Sequence, residues 1–172
     1  MNVTVYLDEL PMVHPNLLWD EIAVATVAVF TNLRHQGPFK FDLSVLEVPG
    51  CQDDLLRMFI DPGDISAAQV NRLRRTHDPA RLVELAAIAI AGLALYHAGE
   101  HKINDIAMRG SRADYLVDEE NYLLEIAGRS RREDFEYAWQ QKWQRLAESA
   151  GGGFYVCVAE FETPAGRLAF HD

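Results

Sequence analysis

Two acidic residues, Asp114 and Glu125, stand on either side of a polar stretch at residues 118–121. Carboxylates that converge in space can hold a divalent cation, since Mg²⁺ is typically bound by one or two carboxylates together with water and substrate phosphate. A metal ion held in this way activates water for attack on a phosphodiester. The pair therefore indicates metal-dependent phosphodiester hydrolysis, provided that the fold brings the two side chains together.

A β-hairpin is the element that would bring them together. Short apolar runs at 113–117 and 122–128 flank the polar stretch, a pattern typical of two strands and their connecting loop. Pairing the runs outward from the loop places Asp114 directly opposite Glu125, with Cβ atoms about 4.5 to 5.5 Å apart. A slip of one residue in the register would separate them.

Two like charges at that distance repel each other, so something must compensate them. A divalent ion is one candidate. Solvent screening at an exposed edge is another, and Arg112 and Arg129, both predicted on the same strand face, are a third.

Helix and strand signals surround the hairpin. Asp78 followed by Pro79 is typical of a helix start, and Ser130 with Glu133 forms a capping-box pattern. Gly99 and the glycines at 151–153 are placed to end these helices. The predicted order is helix, hairpin, helix and two strands, at 79–99, 113–128, 130–150, 154–161 and 167–171.

In this order, and in its acidic pair, the chain resembles the PD-(D/E)XK nuclease superfamily. The core of that superfamily runs helix, antiparallel strands carrying an Asp and a Glu-x-Lys, helix and strand. The resemblance implies that Asp114 and Glu125 hold Mg²⁺. A Glu on the preceding helix often joins such a pair, and Glu84 or Glu100 is placed to do so.

The motif's Lys is absent, because the position two residues after Glu125 is Ala127. Lys142 on the following helix, or Arg129 on the same strand face, could supply the missing charge. Migration of the Lys to that helix is known in the superfamily. Arginine would stabilise charge but would be a poor base, since its pKa is very high.

The N-terminal part carries weaker signals. A strand is predicted at 3–7 and a helix at 16–33, although the β-branched run at 22–30 would also suit a strand. A short helix is predicted at 53–60, and a capping box opens another at 66–75. We expect one α/β domain over 1–172 with a mixed central sheet flanked by helices, mainly helical at 1–78 and with a restriction-endonuclease-like core at 79–172.

Composition limits the functional classes. The 172 residues are 49% hydrophobic with a net charge of −10, which disfavours general nucleic-acid coating. Nucleic acid could still bind a local basic patch formed by two arginine groups. These groups, which are also typical of solvated helix faces, are Arg72, Arg74, Arg75 and Arg81, and Arg129, Arg131 and Arg132.

A cytoplasmic location is expected. The first residues carry no secretory signal, and Cys51 and Cys157 are far apart and read as reduced thiols. The longest apolar run, at 85–96, has 12 residues, fewer than the roughly 20 that cross a bilayer, so no membrane association is predicted.

Three other patterns contain residue types that can carry chemistry. His97, Glu100 and His101 match the H-x-x-E-H pattern of inverted zinc peptidases, although Gly99 interrupts the helix that this chemistry needs. The alternative is a helix C-terminus whose dipole favours the histidines. Trp139 and Trp143 could stack on bases, but their helical spacing favours the core. The glycines at 151–153 precede a strand, which favours a helix stop over a phosphate loop.

Two functions follow from these observations. The first is an enzyme, a Mg²⁺-dependent nuclease whose catalytic residues are Asp114, Glu125, Lys142 and Arg129, with Glu84 as a further metal ligand. The second is a catalytically degenerate relative that acts as a protein–protein interaction module in a larger complex, or as a homo-oligomer.

Overall fold

The computed structural model describes residues 1–107 and 113–172. The strands are β1 (Asn2–Tyr6), β2 (Phe39–Leu46), β3 (Leu55–Asp61), β4 (Ile103–Ile106), β5 (Tyr115–Val117), β6 (Tyr122–Arg129), β7 (Phe154–Glu160) and β8 (Ala165–His171). The α-helices are α1 (Leu10–Val13), α2 (Trp19–Asn32), α3 (Ala67–Thr76), α4 (Pro79–Gly99) and α5 (Phe135–Ala147), with 3-10 turns at Leu7–Glu9 and Arg132–Asp134.

The eight strands of the described chain form one sheet in the order β1-β3-β2-β8-β7-β6-β5-β4. The pairs β1–β3, β2–β8 and β6–β7 are parallel, and the other neighbours are antiparallel. Helices cover both faces, so the predicted class, an α/β protein with a mixed central sheet flanked by helices, is confirmed.

Strand β7 is central to the packing, because all seven of its residues are buried. Tyr155 and Cys157 belong to the hydrophobic cluster that contains α2 and α4, whereas Val156 and Val158 belong to the cluster that contains α5. Alternate residues of a strand point to opposite faces, so α4 and α5 lie on opposite sides of the sheet. A strand covered on both faces carries a continuous apolar run, as this one does.

The N-terminal part contributes three strands to the same sheet as well as helices. The helix predicted at 53–60 is wrong, since this segment forms β3. Its alternating burial, with Leu56, Met58 and Ile60 buried, is the period of a strand. Strand β2 was not predicted, whereas 22–30 is helical within α2.

The C-terminal half runs α4, β4, β5, β6, α5, β7 and β8. This is the predicted order with one added strand, β4, which pairs antiparallel with β5. The capping box predicted at Ser130 does not form. Glu133 instead pairs with Arg131 at 3.2 Å, and α5 begins at Phe135.

Helix α4 has 21 residues and is long and apolar enough to cross a membrane by length and composition alone. Within the described residues it is the one helix of that kind, and 78% of its most apolar stretch is buried inside the protein. That burial is typical of the core helix of a soluble protein.

Candidate functional site

The hairpin predicted from the sequence is present, with Tyr115 opposite Leu124 as expected. Strand β5 begins at Tyr115, but the pairing already includes Asp114, since its backbone N–H donates to the carbonyl of Leu124 at 2.9 Å. Its carboxylate then accepts from the N–H of Ile126 at 2.9 Å. The carboxylate of Asp114 thus accepts the N–H of Ile126 in place of a backbone carbonyl of the neighbouring strand, and this bond fixes the side chain beside Glu125.

Glu125 is fully buried, and two cations from α5 surround its carboxylate. The Nζ of Lys142 donates to Oε2 at 2.5 Å. The Nη1 of Arg145 lies 3.1 Å from Oε1, within ion-pair distance but without the orientation of a hydrogen bond, so Oε1 lacks a hydrogen-bond donor among the described residues. These two side chains, rather than Arg129, compensate the buried charge.

Burial is the main influence on the proton affinity of Glu125. Desolvation raises the pKa of this carboxyl group, the hydrogen bond from Lys142 opposes the rise, and the neighbouring Asp114 adds to it. The net pKa lies above the usual value for glutamate. A carboxyl group in this state binds a proton more readily than an exposed one.

A cleft of about 500 Å³ opens beside this pair. It lies between the first turns of α4, the end of β6 and the middle of α5. Among the described residues, five charged side chains line it: Arg81, Glu84, Asp114, Arg129 and Lys142. We call this cleft, together with the buried Glu125 and the exposed Arg145 that contacts it, the carboxylate site.

Three of the four residues predicted to be catalytic line the cleft, and Lys142 contacts the fourth, Glu125. Arg129 donates to the carbonyl of Gly128 at 2.7 Å. Arg81 and Arg129 come from the two different arginine groups of the sequence, so each group contributes one cation here.

Glu84 lines the cleft but is paired with Arg81 at 3.1 Å. Across residues 1–107 and 113–172, no three His, Cys, Asp or Glu side chains group closely enough to hold a metal ion. Glu84 is therefore not part of a three-carboxylate cluster. Glu100, the alternative, lines a separate cleft with His101 and Asp118, and Arg112 lies outside the described residues.

Arg145 was missed in the sequence. Ala138, Lys142 and Arg145 follow the i, i+4, i+7 spacing that places side chains on one face of a helix, and Ala138 is fully buried against the sheet. That spacing was the available signal. It shows that this face of α5 reaches β6 and brings two cations with it.

The two carboxylates fit a divalent cation in one respect, because Oε1 of Glu125 is a buried oxygen without a hydrogen-bond donor. Mg²⁺ tolerates as few as one or two protein carboxylates, the rest of its shell being water and phosphate. Asp114 and Glu125 are therefore the residues here that could hold such an ion, and Arg145, 3.1 Å from the same oxygen, would compete with it.

The H-x-x-E-H pattern does not form a zinc site. His97 contacts Glu9 at 2.9 Å, whereas His101 contacts Asp118 at 2.6 Å. Helix α4 ends at Gly99, and Glu100 has a left-handed backbone with φ of 59°. His97 lies in the last turn of α4 and His101 lies beyond its end, and the two side chains contact different partners.

Trp139 and Trp143 stack on each other with ring centroids 5.6 Å apart, and both pack against the cluster under α5. Both side chains are partly buried, so they cover the edge of the core and are not fully enclosed in it. The glycines at 151–153 separate α5 from β7, as expected of a helix stop.

Compared with protein-family models, curated proteins and solved structures, the chain matches none of them.

Proposed function

We propose that this protein is a Mg²⁺-dependent phosphodiesterase acting on nucleic acid, with a PD-(D/E)XK-like site. The observation that carries the proposal is the contact between Lys142 and Glu125 at 2.5 Å. It brings an Asp, a Glu and a Lys, the three residue types of the motif, to one cleft although the usual Lys position is Ala127. The order helix, antiparallel strands, helix and parallel strand supports the same proposal.

In this mechanism Asp114 and Glu125 would hold the cation. Bound Mg²⁺ supplies a water of lowered pKa and a positive charge for the phosphate oxygens. Hydrogen bonding of Asp114 to the N–H of Ile126 fixes its carboxylate before substrate arrives. Lys142 stabilises Glu125 and lines the cleft, so its ammonium would lie near a bound phosphate and would donate a proton to the leaving oxygen.

Arg81 and Arg129 would bind the phosphates that flank the scissile bond, because guanidinium groups match phosphate oxygens in pairs. The rest of the acidic surface repels a polyanion, which restricts binding to this cleft. A cytoplasmic location is part of the proposal, since both cysteines are free thiols.

The test uses labelled single-stranded and double-stranded DNA and RNA with Mg²⁺, with Mn²⁺ and with EDTA. We expect hydrolysis that EDTA abolishes and that Asp114→Asn reduces on the order of a hundredfold. The asparagine oxygen can still accept from the N–H of Ile126, so the fold is expected to persist. Glu119→Gln, an exposed change on the hairpin loop, is the control and is expected to leave the rate unchanged.

A second candidate is a non-catalytic binding module with the same fold. It is favoured by one observation, that both oxygens of Glu125 already lie within 3.1 Å of a cationic group of the protein itself. Mn²⁺ binding measured by electron paramagnetic resonance separates the two. Mn²⁺ binding that Asp114→Asn removes would support the enzyme. If the protein neither binds Mn²⁺ nor hydrolyses any substrate, the enzyme is contradicted and the binding module is left.

A further inference from the structure

A second cleft, of about 480 Å³, lies where two parallel strands end. Strands β1 and β3 pair in parallel with Tyr6 beside Asp61, and the cleft is formed by the residues that follow them, such as Leu7 and Pro62. The crevice beyond the carboxyl ends of parallel strands is a recurrent binding location in α/β sheets. We call it the N-terminal cleft.

The floor of the N-terminal cleft is apolar. Trp19 is buried there, with its indole N–H donating to the carbonyl of His14, and Ala23, Val24 and Ile65 are half-buried around it. A purely polar ligand would make no favourable apolar contact with this surface. The floor therefore fits an apolar side chain.

The edge of the N-terminal cleft is acidic. Asp8, Asp20 and Asp64 line it and are exposed, and we call them the acidic rim. In the part of the chain that the structure describes, no Lys or Arg lines this cleft, and none of the three carboxylates has a cationic partner. The neighbouring acids differ, since Glu9 is paired with His97 and Glu21 with His77.

Two large apolar side chains extend the surface beyond the cleft. Met12 follows Pro11 of the cleft and is 78% exposed, and Leu18 precedes Trp19 and is 90% exposed. Leu18 also occupies the N-cap of α2, where Ser, Thr, Asp or Asn would stabilise the helix. Leu18 thus contributes neither to the core nor to capping of the helix. Departures of this kind from local sequence preferences are expected at binding sites.

From these observations we infer that the N-terminal cleft is a docking site for a basic segment of a partner protein. An apolar residue of that segment would pack on Trp19, and its Lys or Arg side chains would pair with the acidic rim. A protein is favoured over a small molecule because Met12 and Leu18 extend the apolar surface outside the cleft. A bound metal is not favoured, since no group of metal-binding side chains lies here within the described residues.

The test starts from an unbiased selection of short random peptides displayed on phage, against the whole protein. We expect enriched peptides to combine a large apolar residue with two or more Lys or Arg. Synthetic copies are then measured by fluorescence anisotropy against a rim variant, Asp8→Asn/Asp20→Asn/Asp64→Asn. Affinity should fall at least about tenfold, because charged contacts to the peptide are lost.

The matched control for charge neutralises three exposed carboxylates elsewhere and so gives the same net charge: Glu119→Gln/Glu120→Gln/Glu148→Gln. It should bind the peptides like the original protein. A second pair tests the apolar surface, since Met12→Ser/Leu18→Ser should weaken binding several-fold, whereas Tyr137→Ser, at a residue 65% exposed on α5, should not.

All variants change exposed side chains, and circular dichroism checks that each is folded. Three results would overturn the inference: no enrichment, enriched peptides without positive charge, or equal loss of affinity in the rim variant and the charge control. The last would mean that only the net charge of −10 attracts the peptides.

Discussion

The carboxylate site and the N-terminal cleft lie toward opposite edges of one sheet and treat acidic side chains in opposite ways. Glu125 is buried and is surrounded by Lys142 and Arg145. The acidic rim is exposed and has no cation of its own in the described chain. A buried charge must be paired within the protein for the chain to fold, whereas an exposed charge is solvated by water and remains available to pair with a ligand.

The largest effect is expected at Lys142. Lys142→Met leaves Glu125 buried with Arg145 alone, so the free energy of unfolding should fall by about 2 to 3 kcal/mol. Urea unfolding measures it. The double variant Glu125→Gln/Lys142→Met should lose clearly less than the sum of the two single changes, and Asp20→Asn, at the acidic rim, should cost no more than about 0.5 kcal/mol, because it removes one charge from the first turn of α2. Additive losses would contradict the pairing.

A comparison of two glycines should give the next largest effect. A Cβ at Gly128 would lie 2.4 Å from the carbonyl oxygen of Val83, where α4 packs on β6, so Gly128→Ala should cost about 2 kcal/mol. Gly63, beside the N-terminal cleft, has open space around it but a φ of +61°, so Gly63→Ala should cost only about 1 kcal/mol. Equal losses in thermal unfolding would show that α4 can shift.

These expectations show what the sequence could and could not predict. Apolar runs, capping residues and turn signals were enough to predict the hairpin, α3, α4 and β7. Strand β2 and the true nature of β3 were missed although the two strands pair with each other across a short connection, because a short apolar run does not by itself distinguish a strand from a helix. For Arg145, the helical spacing indicates a shared face with Lys142, but only the packing of α5 on β6 shows that this face meets Glu125.

The pH dependence of stability should separate the two regions as well. His14 is buried beside Trp19, accepts from the N–H of Ile103 at 3.0 Å and contacts the carbonyl of Gly92 at 2.9 Å. Burial lowers its pKa from 6.5, so the unfolded chain binds the proton first. The free energy of unfolding should therefore fall as the pH drops below about 6.5, by at most about 1.4 kcal/mol per unit.

His14→Gln should flatten this slope between pH 7 and pH 5 in urea titrations, whatever its effect at neutral pH. Glu125 has the opposite effect on the pH dependence. Because its pKa is raised in the folded protein, its contribution to the free energy of unfolding is lost as the pH rises. If His14→Gln leaves the slope of the free energy of unfolding against pH unchanged, another titrating group is responsible for it.

The smallest effect has the opposite direction. Leu18→Ser gives α2 a side chain that can cap its first N–H groups, so the free energy of unfolding should rise by about 0.5 to 1 kcal/mol. Differential scanning calorimetry measures it, with Met12→Ser as a control that adds no cap. A loss of stability at Leu18 would mean that its side chain has a structural role, which would weaken the inference of a docking surface.

The bond from the backbone of Ile126 to the carboxylate of Asp114 turns one amide proton into a reporter. Its exchange with deuterated solvent, followed by nuclear magnetic resonance, is slow only while that carboxylate stays in place. Faster exchange at this single position, with its strand neighbours still protected, would reveal rearrangement at the cleft before any loss of fold.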